Sequence, residues 1–158
     1  MIVISEITEK DLHFVRNEII RMWGADSIVT RGRIWLLNDL PGFVARIKGQ
    51  PAGIILYNIL ADDCEILSLH SIIERKGVAR SLIDKVKKLA TERKCRRIWL
   101  ITTNDNVQAI RYYLKYGFQL KQVYRNAIEK SRKLKPEIPL LGLNDIPILH
   151  ELEFELLL

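Results

Sequence analysis

Two stretches of this chain carry residues whose types and spacing suit chemistry. The first is Glu74-Arg75-Lys76-Gly77-Val78-Ala79-Arg80. It follows a short apolar run, Cys64 to Ser71, that reads as a strand. It precedes Leu82, Ile83, Val86, Leu89 and Ala90, which recur at helical spacing. A basic loop with small residues therefore feeds a helix N-terminus. Such a turn binds phosphate, because its backbone N–H groups point outward, the helix dipole favours an anion and Gly77 and Ala79 allow close approach. The plain alternative is a strand-to-helix turn with solvated charges, and this segment alone does not separate the two. The second stretch, Asn106 to Phe118, follows the strand Ile98 to Thr103 and carries three tyrosines, Tyr112, Tyr113 and Tyr116.

Taken together, the two stretches resemble the GNAT N-acetyltransferase superfamily. Its acetyl-CoA loop reads (Gln/Arg)-x-x-Gly-x-(Gly/Ala), and Gly77 and Ala79 fill the two small positions. Its second motif reads Asn-x-x-Ala-x-x-x-Tyr-x-x-x-Gly-Phe, and Asn106, Ala109, Tyr113, Gly117 and Phe118 fill every fixed position. The resemblance is good from Phe43 to Phe118 and vague before Phe43 and after Val123. The loop departs from the pattern at Glu74, where a possible phosphate donor is missing but the backbone donors are untouched.

The resemblance implies a site. Acetyl-CoA would lie along Leu67, Ser68 and Leu69, whose backbone would pair with the pantetheine amides and polarise the thioester carbonyl. Arg75, Lys76, Gly77, Val78, Ala79 and Arg80 would hold the pyrophosphate, and Asn106 would touch the pantetheine arm. Tyr113 matches the family tyrosine that protonates the departing sulfur, and a phenol is a competent acid for a thiolate. Without the motif, Tyr113 reads as a packing residue beside Ile110, Leu114 and Gly117. Some family members carry a glutamate on the strand before the second motif, whereas Ile98 to Thr103 has no acid. Glu65, His70 or water remain as the base. His70 has the better intrinsic pKa, but Glu65 and His70 fall on opposite faces of an ideal strand.

The elements that must position these residues are read from periodicity. Ile2 to Ile7 is a first strand. Thr8 caps a helix whose apolar face is Leu12, Val15, Ile19 and Met22, and Gly24 closes it. Arg31 to Trp35 is either a short helix or a loop. Phe43 to Lys48 and Ala52 to Leu60 form a hairpin around Gly49-Gln50-Pro51. Phe118 to Tyr124 is a strand, Asn126 to Leu134 is helical, and Leu149 to Leu157 is a final strand. The expectation is one α/β (α+β) domain over residues 1–158 with an antiparallel front half. By resemblance it has a mixed sheet of about seven strands, flanked by helices and splayed into a V-shaped cleft. The acceptor pocket is expected to draw on the first helices, the strand around Tyr57 and the loop from Arg125 to Leu149. That loop, with its three prolines, is read as a lid, a specificity loop or a homodimer contact. Trp23, Arg31, Arg33 and Trp35 suit an anionic or aromatic acceptor, or else packing and surface charge. The Thr102-to-Asn106 run either shapes the cleft or only caps the next helix.

Composition bounds the rest. An apolar share of 48% and a charged share of 28% suit a soluble globular domain. No apolar run is long enough to span a membrane, and Met1 to Glu6 lacks a secretory signal. Cys64 and Cys95 read as reduced thiols, so a cytoplasmic location is expected. The three histidines, His13, His70 and His150, are scattered, so no metal site is expected. The net charge of +6 is concentrated between Glu74 and Arg97, which holds ten Lys/Arg against three Asp/Glu. That segment keeps a nucleic-acid-binding module among the alternatives, though no stacking or helix-turn-helix motif accompanies it. A catalytically silent CoA-binding sensor is the other alternative. The leading expectation is an acetyl-CoA-dependent N-acetyltransferase acting by direct transfer on an amine, either of a small molecule or of a protein.

Overall fold

A computed structural model describes the chain from Met1 to Leu158. In chain order the elements are β1 (Ile2–Glu6), α1 (Leu12–Trp23), β2 (Ser27–Thr30), β3 (Arg33–Leu36), β4 (Gly42–Ile47), β5 (Gln50–Leu60) and β6 (Asp63–Ser71). They continue with α2 (Val78–Glu92), β7 (Arg97–Thr103), α3 (Val107–Tyr116), β8 (Gln119–Tyr124), α4 (Ala127–Leu134) and β9 (Glu151–Leu157). Seven strands form one mixed sheet in the order β1-β4-β5-β6-β7-β9-β8. Only β6 and β7 pair in parallel; every other pairing is antiparallel. The antiparallel front half and the hairpin around Gly49 are thus as the sequence reads.

The segment left open, Arg31 to Trp35, is neither helix nor loop. Ser27–Thr30 and Arg33–Leu36 pair as an antiparallel hairpin turning at Arg31-Gly32, both with positive φ. β-branched Ile28, Val29, Thr30 and Ile34 favour strand geometry, and the buried positions Ile28 and Trp35 lie directly opposite each other.

Helices cover both sheet faces. α2 packs on one, where Val78, Leu82, Ile83, Val86 and Ala90 present its buried stripe to Phe43, Ile55, Ile66 and Ile98. α1 and the β2–β3 hairpin cover the other, around Val15, Ile19, Ile28, Trp35, Val44, Ile54 and Leu67. Tyr57, expected beside the acceptor, instead stacks on Phe43 at 5.7 Å and packs against the α2-side core, away from the cleft. Both cysteines are buried free thiols, and burial pushes Cys64 up to about 12. No helix is long and apolar enough to cross a membrane.

Candidate active site

A cleft opens where β6 and β7 part. Their pairing runs from Asp63↔Arg97 to Ile66↔Leu100 and stops. Beyond that point β6 stays bonded to β5 as far as Ser71, and β7 to β9 as far as Thr103. Each strand therefore presents one unpaired backbone edge to the gap. The ladder between β5 and β6 also breaks: Leu56 faces Ser68 and Tyr57 faces Ile66, leaving Leu67 unpaired in a bulge. The extra residue shifts the alternation of side chains. Leu67 packs in the α1-side core, Ser68 accepts a hydrogen bond from Trp23 Nε1 at 3.2 Å, and His70 meets α1, while Leu69 turns to the α2 side. Glu65 and His70 thus share a face, which an ideal strand forbids.

The roughly 590 Å³ cleft is lined by Leu67, Ser68, Leu69, Asn106 and Tyr113 among the expected site residues. Arg75 to Arg80 lie beyond it, at the α2 N-terminus that β6 leads into. Gly77 is the N-cap, with φ 77°, and a Cβ built there meets nothing within 4 Å. The N–H groups of Gly77, Val78, Ala79 and Arg80 find no acceptor in the protein. That of Ser81 does, bonding the Gly77 carbonyl at 3.0 Å. Four free donors around open space, at the positive end of a 15-residue helix, fit a pyrophosphate. The side chains of Arg75, Lys76 and Arg80 are exposed, and the Arg80 guanidinium lies 5.1 Å from the Tyr116 ring.

Asn106 caps α3, its Oδ1 accepting from Ala109 N–H at 3.2 Å, which leaves its amide donors for the cleft. Tyr113 is 9% exposed and packs edge-on against Phe118 at 5.5 Å and beside Phe154. Leu114, the expected neighbour, is half exposed instead. The Tyr113 hydroxyl makes no hydrogen bond within the protein, and burial pushes the phenol well above its ordinary value, so it stays protonated.

The opposite wall comes from distant segments. Met22, Trp23 and Gly24 close α1 there, Val29 and Thr30 come from β2, and Lys135 to Ile148 supply the rest. The Thr102-to-Asn106 run anchors that last segment. Asn104 Nδ2 donates to the Pro147 carbonyl, and its Oδ1 accepts from Leu149 and His150 N–H, each at 2.9 Å. Asp105 accepts from Leu143 N–H at 3.0 Å, and a Cβ at Gly142 would collide with its carboxylate. Arg132 binds the carbonyls of Ile138, Pro139 and Ile148. The loop is a pinned wall of the cleft.

The acids divide between two spaces. Glu65 is buried, and loss of hydration raises it to about 7 against the pull of Thr30 and Arg33. It lines a smaller pocket of roughly 230 Å³, next to the cleft, with Arg33, Trp35 and Trp99. Thr30 lines both spaces, and its hydroxyl donates to Glu65 at 3.4 Å. Glu151 lines the cleft but is bonded twice by Arg31, through its guanidinium at 3.0 Å and its N–H at 3.1 Å. His70 lies outside the cleft, 3.0 Å from Glu18 and 2.7 Å from Arg21, and burial lowers its pKa.

Of the four residues expected to meet an acceptor, only Trp23 lines the cleft. Arg31 is held by Glu151 and stacks on Tyr124 at 3.4 Å, while Arg33 stacks on Trp35 at 3.7 Å in the smaller pocket. The basic segment is likewise partly spoken for: Arg96 and Arg97 bind Asp63, and Arg97 also binds Glu153 and Glu155. Sequence reasoning missed Lys135 and Glu151. Neither has a local signal, since their contacts with Ser27 and Arg31 span 108 and 120 residues.

Comparison with known proteins agrees with this geometry. Residues 12–118 match the family model described as Acetyltransferase (GNAT) family. The chain is 41% identical over 155 residues to Uncharacterized protein YdhI of Bacillus subtilis (strain 168), covering 98% of this chain and 97% of that protein. Among solved structures, it superposes on an IAA acetyltransferase from Bacillus cereus ATCC 14579 with a TM-score of 0.73, at 16% identity and full coverage of both chains. A GNAT family acetyltransferase from Elizabethkingia anophelis with acetyl-CoA bound gives the same TM-score of 0.73 at 17% identity, over 99% of this chain and 98% of that one. These last two are likenesses of fold.

Proposed function

Because this chain belongs to the GNAT acetyltransferase family, we propose that it is one acetyltransferase domain over residues 1–158 that moves the acetyl group of acetyl-CoA directly to a primary amine. The observation that carries the reading is the junction of three features. The free edge of β6 with its bulge at Leu67 and the unbonded Tyr113 hydroxyl line one cleft, and β6 leads from it to the four unpaired N–H groups at the α2 N-terminus.

Acetyl-CoA supplies an activated acetyl thioester; the chain supplies position and protons. The α2 N-terminus, from Arg75 to Arg80, binds the pyrophosphate through backbone donors and its dipole. The unpaired backbone of Leu67, Ser68 and Leu69 receives the pantetheine arm as an added strand, and the bulged backbone polarises the thioester carbonyl. Asn106 adds amide donors on the facing side. The amine must lose a proton to form the amide, and the sulfur must gain one as the C–S bond breaks. Tyr113, kept protonated by burial, donates the second. Glu65 takes the first through the Thr30 hydroxyl or a water, since a carboxylate near 7 is a better base than an exposed one. This proton route needs no acid on β7, so the apolar Ile98-to-Ile101 stretch is no obstacle.

The experiment is a panel of amines incubated with enzyme and acetyl-CoA and read by mass spectrometry. The account predicts acetylated product on nitrogen together with free CoA. CoA binding without product on any amine would favour the sensor reading.

A further inference from the structure

A cation without a counter-ion is buried on the acceptor side of the cleft. Lys135 is 4% exposed and lines the cleft wall. Its ammonium donates to the Ser27 carbonyl at 2.7 Å and sits 5.6 Å from the Trp23 ring. An ammonium has three donors, so two are uncommitted. No carboxylate lies within ion-pair distance of it, whereas Arg31, Arg46 and Arg97 are each paired with acids. Asp26 and Glu137 act on it only from farther off, and burial wins, lowering its pKa. A buried charge left short of partners is costly, and its free donors open into the space where the acceptor is to bind.

Its neighbours fix what kind of anion fits. Trp23 bridges Lys135 and the splayed strand, with its ring beside the ammonium and its Nε1 bonded to Ser68. The ammonium is therefore one indole ring away from the strand assigned to the thioester, and on the opposite side of the sheet from α2, where phosphate is expected. The cleft wall also carries the apolar Val29, Ile128, Ile138 and Ile148; of its acids, Glu151 is held by Arg31 and Asp105 by the Leu143 N–H, and Glu137 stands outside ion-pair distance of the ammonium. We propose that Lys135 is an anion subsite of the acceptor pocket, and that the acceptor is a small primary amine carrying a carboxylate on an apolar or aromatic body. This rests on the acetyltransferase reading and sharpens it: Lys135 holds the carboxylate while the amine reaches the acetyl group.

Matched pairs differing only in the carboxylate test it: tryptophan against tryptamine, and phenylalanine against phenethylamine. For the wild-type enzyme, kcat/KM for at least one acid should exceed that of its decarboxylated partner by about tenfold or more, as loss of a charge-assisted contact implies. In Lys135→Met the acid should fall to the level of its partner through KM, and Lys135→Arg should restore part of the difference. Acetyl-CoA affinity, read by calorimetry, reports folding and the other half of the cleft in each variant. Wild-type enzyme that binds acetyl-CoA but prefers the decarboxylated amines, or acetylates none of the acids, overturns the inference and leaves the acetyltransferase reading standing. Wild-type enzyme that fails to bind acetyl-CoA overturns both.

Discussion

The two walls of the cleft are built from different materials. On the side of β6, α2 and α3 the groups proposed to bind are mostly backbone: the free edge from Leu67, the bulge, and the N–H crown from Gly77 to Arg80. On the side of α1, β2 and the Lys135-to-Ile148 wall they are side chains, Trp23, Lys135 and Glu151, delivered by segments far apart in the chain. Backbone recognition requires small residues and a particular turn, so it tolerates almost any side chain that stays out of the way. Side-chain recognition requires particular residues held by particular partners. A common co-substrate suits the first design, and a specific acceptor suits the second.

The contrast breaks most sharply at Gly77. Gly77→Glu puts a carboxylate in the open space over the α2 N-terminus, and acetyl-CoA affinity should fall by at least about a hundredfold, because like charge replaces the attractive dipole. Gly77→Ala is the control. At φ 77° an alanine should cost on the order of 1 kcal/mol of stability, with a much smaller loss of affinity. Equal losses in the two variants would mean that only backbone geometry matters there.

Tyr113→Phe separates chemistry from binding on the same wall. The ring keeps its contacts with Phe118 and Phe154, so acetyl-CoA affinity should hold. Single-turnover rate should drop about 10²-fold, the usual size of a general-acid contribution. An unchanged rate would make Tyr113 a packing residue.

Glu65→Gln probes the acceptor side with two readouts of opposite sign. In the wild type, kcat/KM should rise with pH through about 7 as Glu65 becomes a base, and this limb should vanish in the variant. Stability moves the other way. Burial lifts the folded Glu65 to about 7, above the ordinary 4.5 of a glutamate, so folding binds a proton between these values and wild-type stability falls as pH rises through that window. Glu65→Gln should therefore leave stability unchanged near pH 4 and raise it above pH 7, measured by urea melts. A pH profile identical to wild type would return the proton to water.

The same division explains what could be read from sequence. Backbone recognition leaves local marks, such as Gly77 and Ala79 before an amphipathic run, and Asn106 with Tyr113 and Phe118 at fixed spacing. Those marks suffice for the family, the sheet and half the cleft. The bulge leaves no such mark: nothing in Ile66-Leu67-Ser68 announces that β5 will skip a residue, so Glu65 and His70 read as opposed. Arg31 and Arg33 look like acceptor ligands because their acid and aromatic partners are chosen by the tertiary fold. Glu151 is 120 residues from Arg31. Lys135, between a polar helix end and a proline, looks like solvated charge until Ser27 and Trp23 enclose it.

Calorimetric titration of the wild-type protein with acetyl-CoA tests the central claim most directly, since both walls presuppose a thioester lying along β6. The account predicts saturable binding at one site per chain, competed by CoA and abolished by Gly77→Glu in a protein that still folds. No binding up to millimolar acetyl-CoA would contradict it.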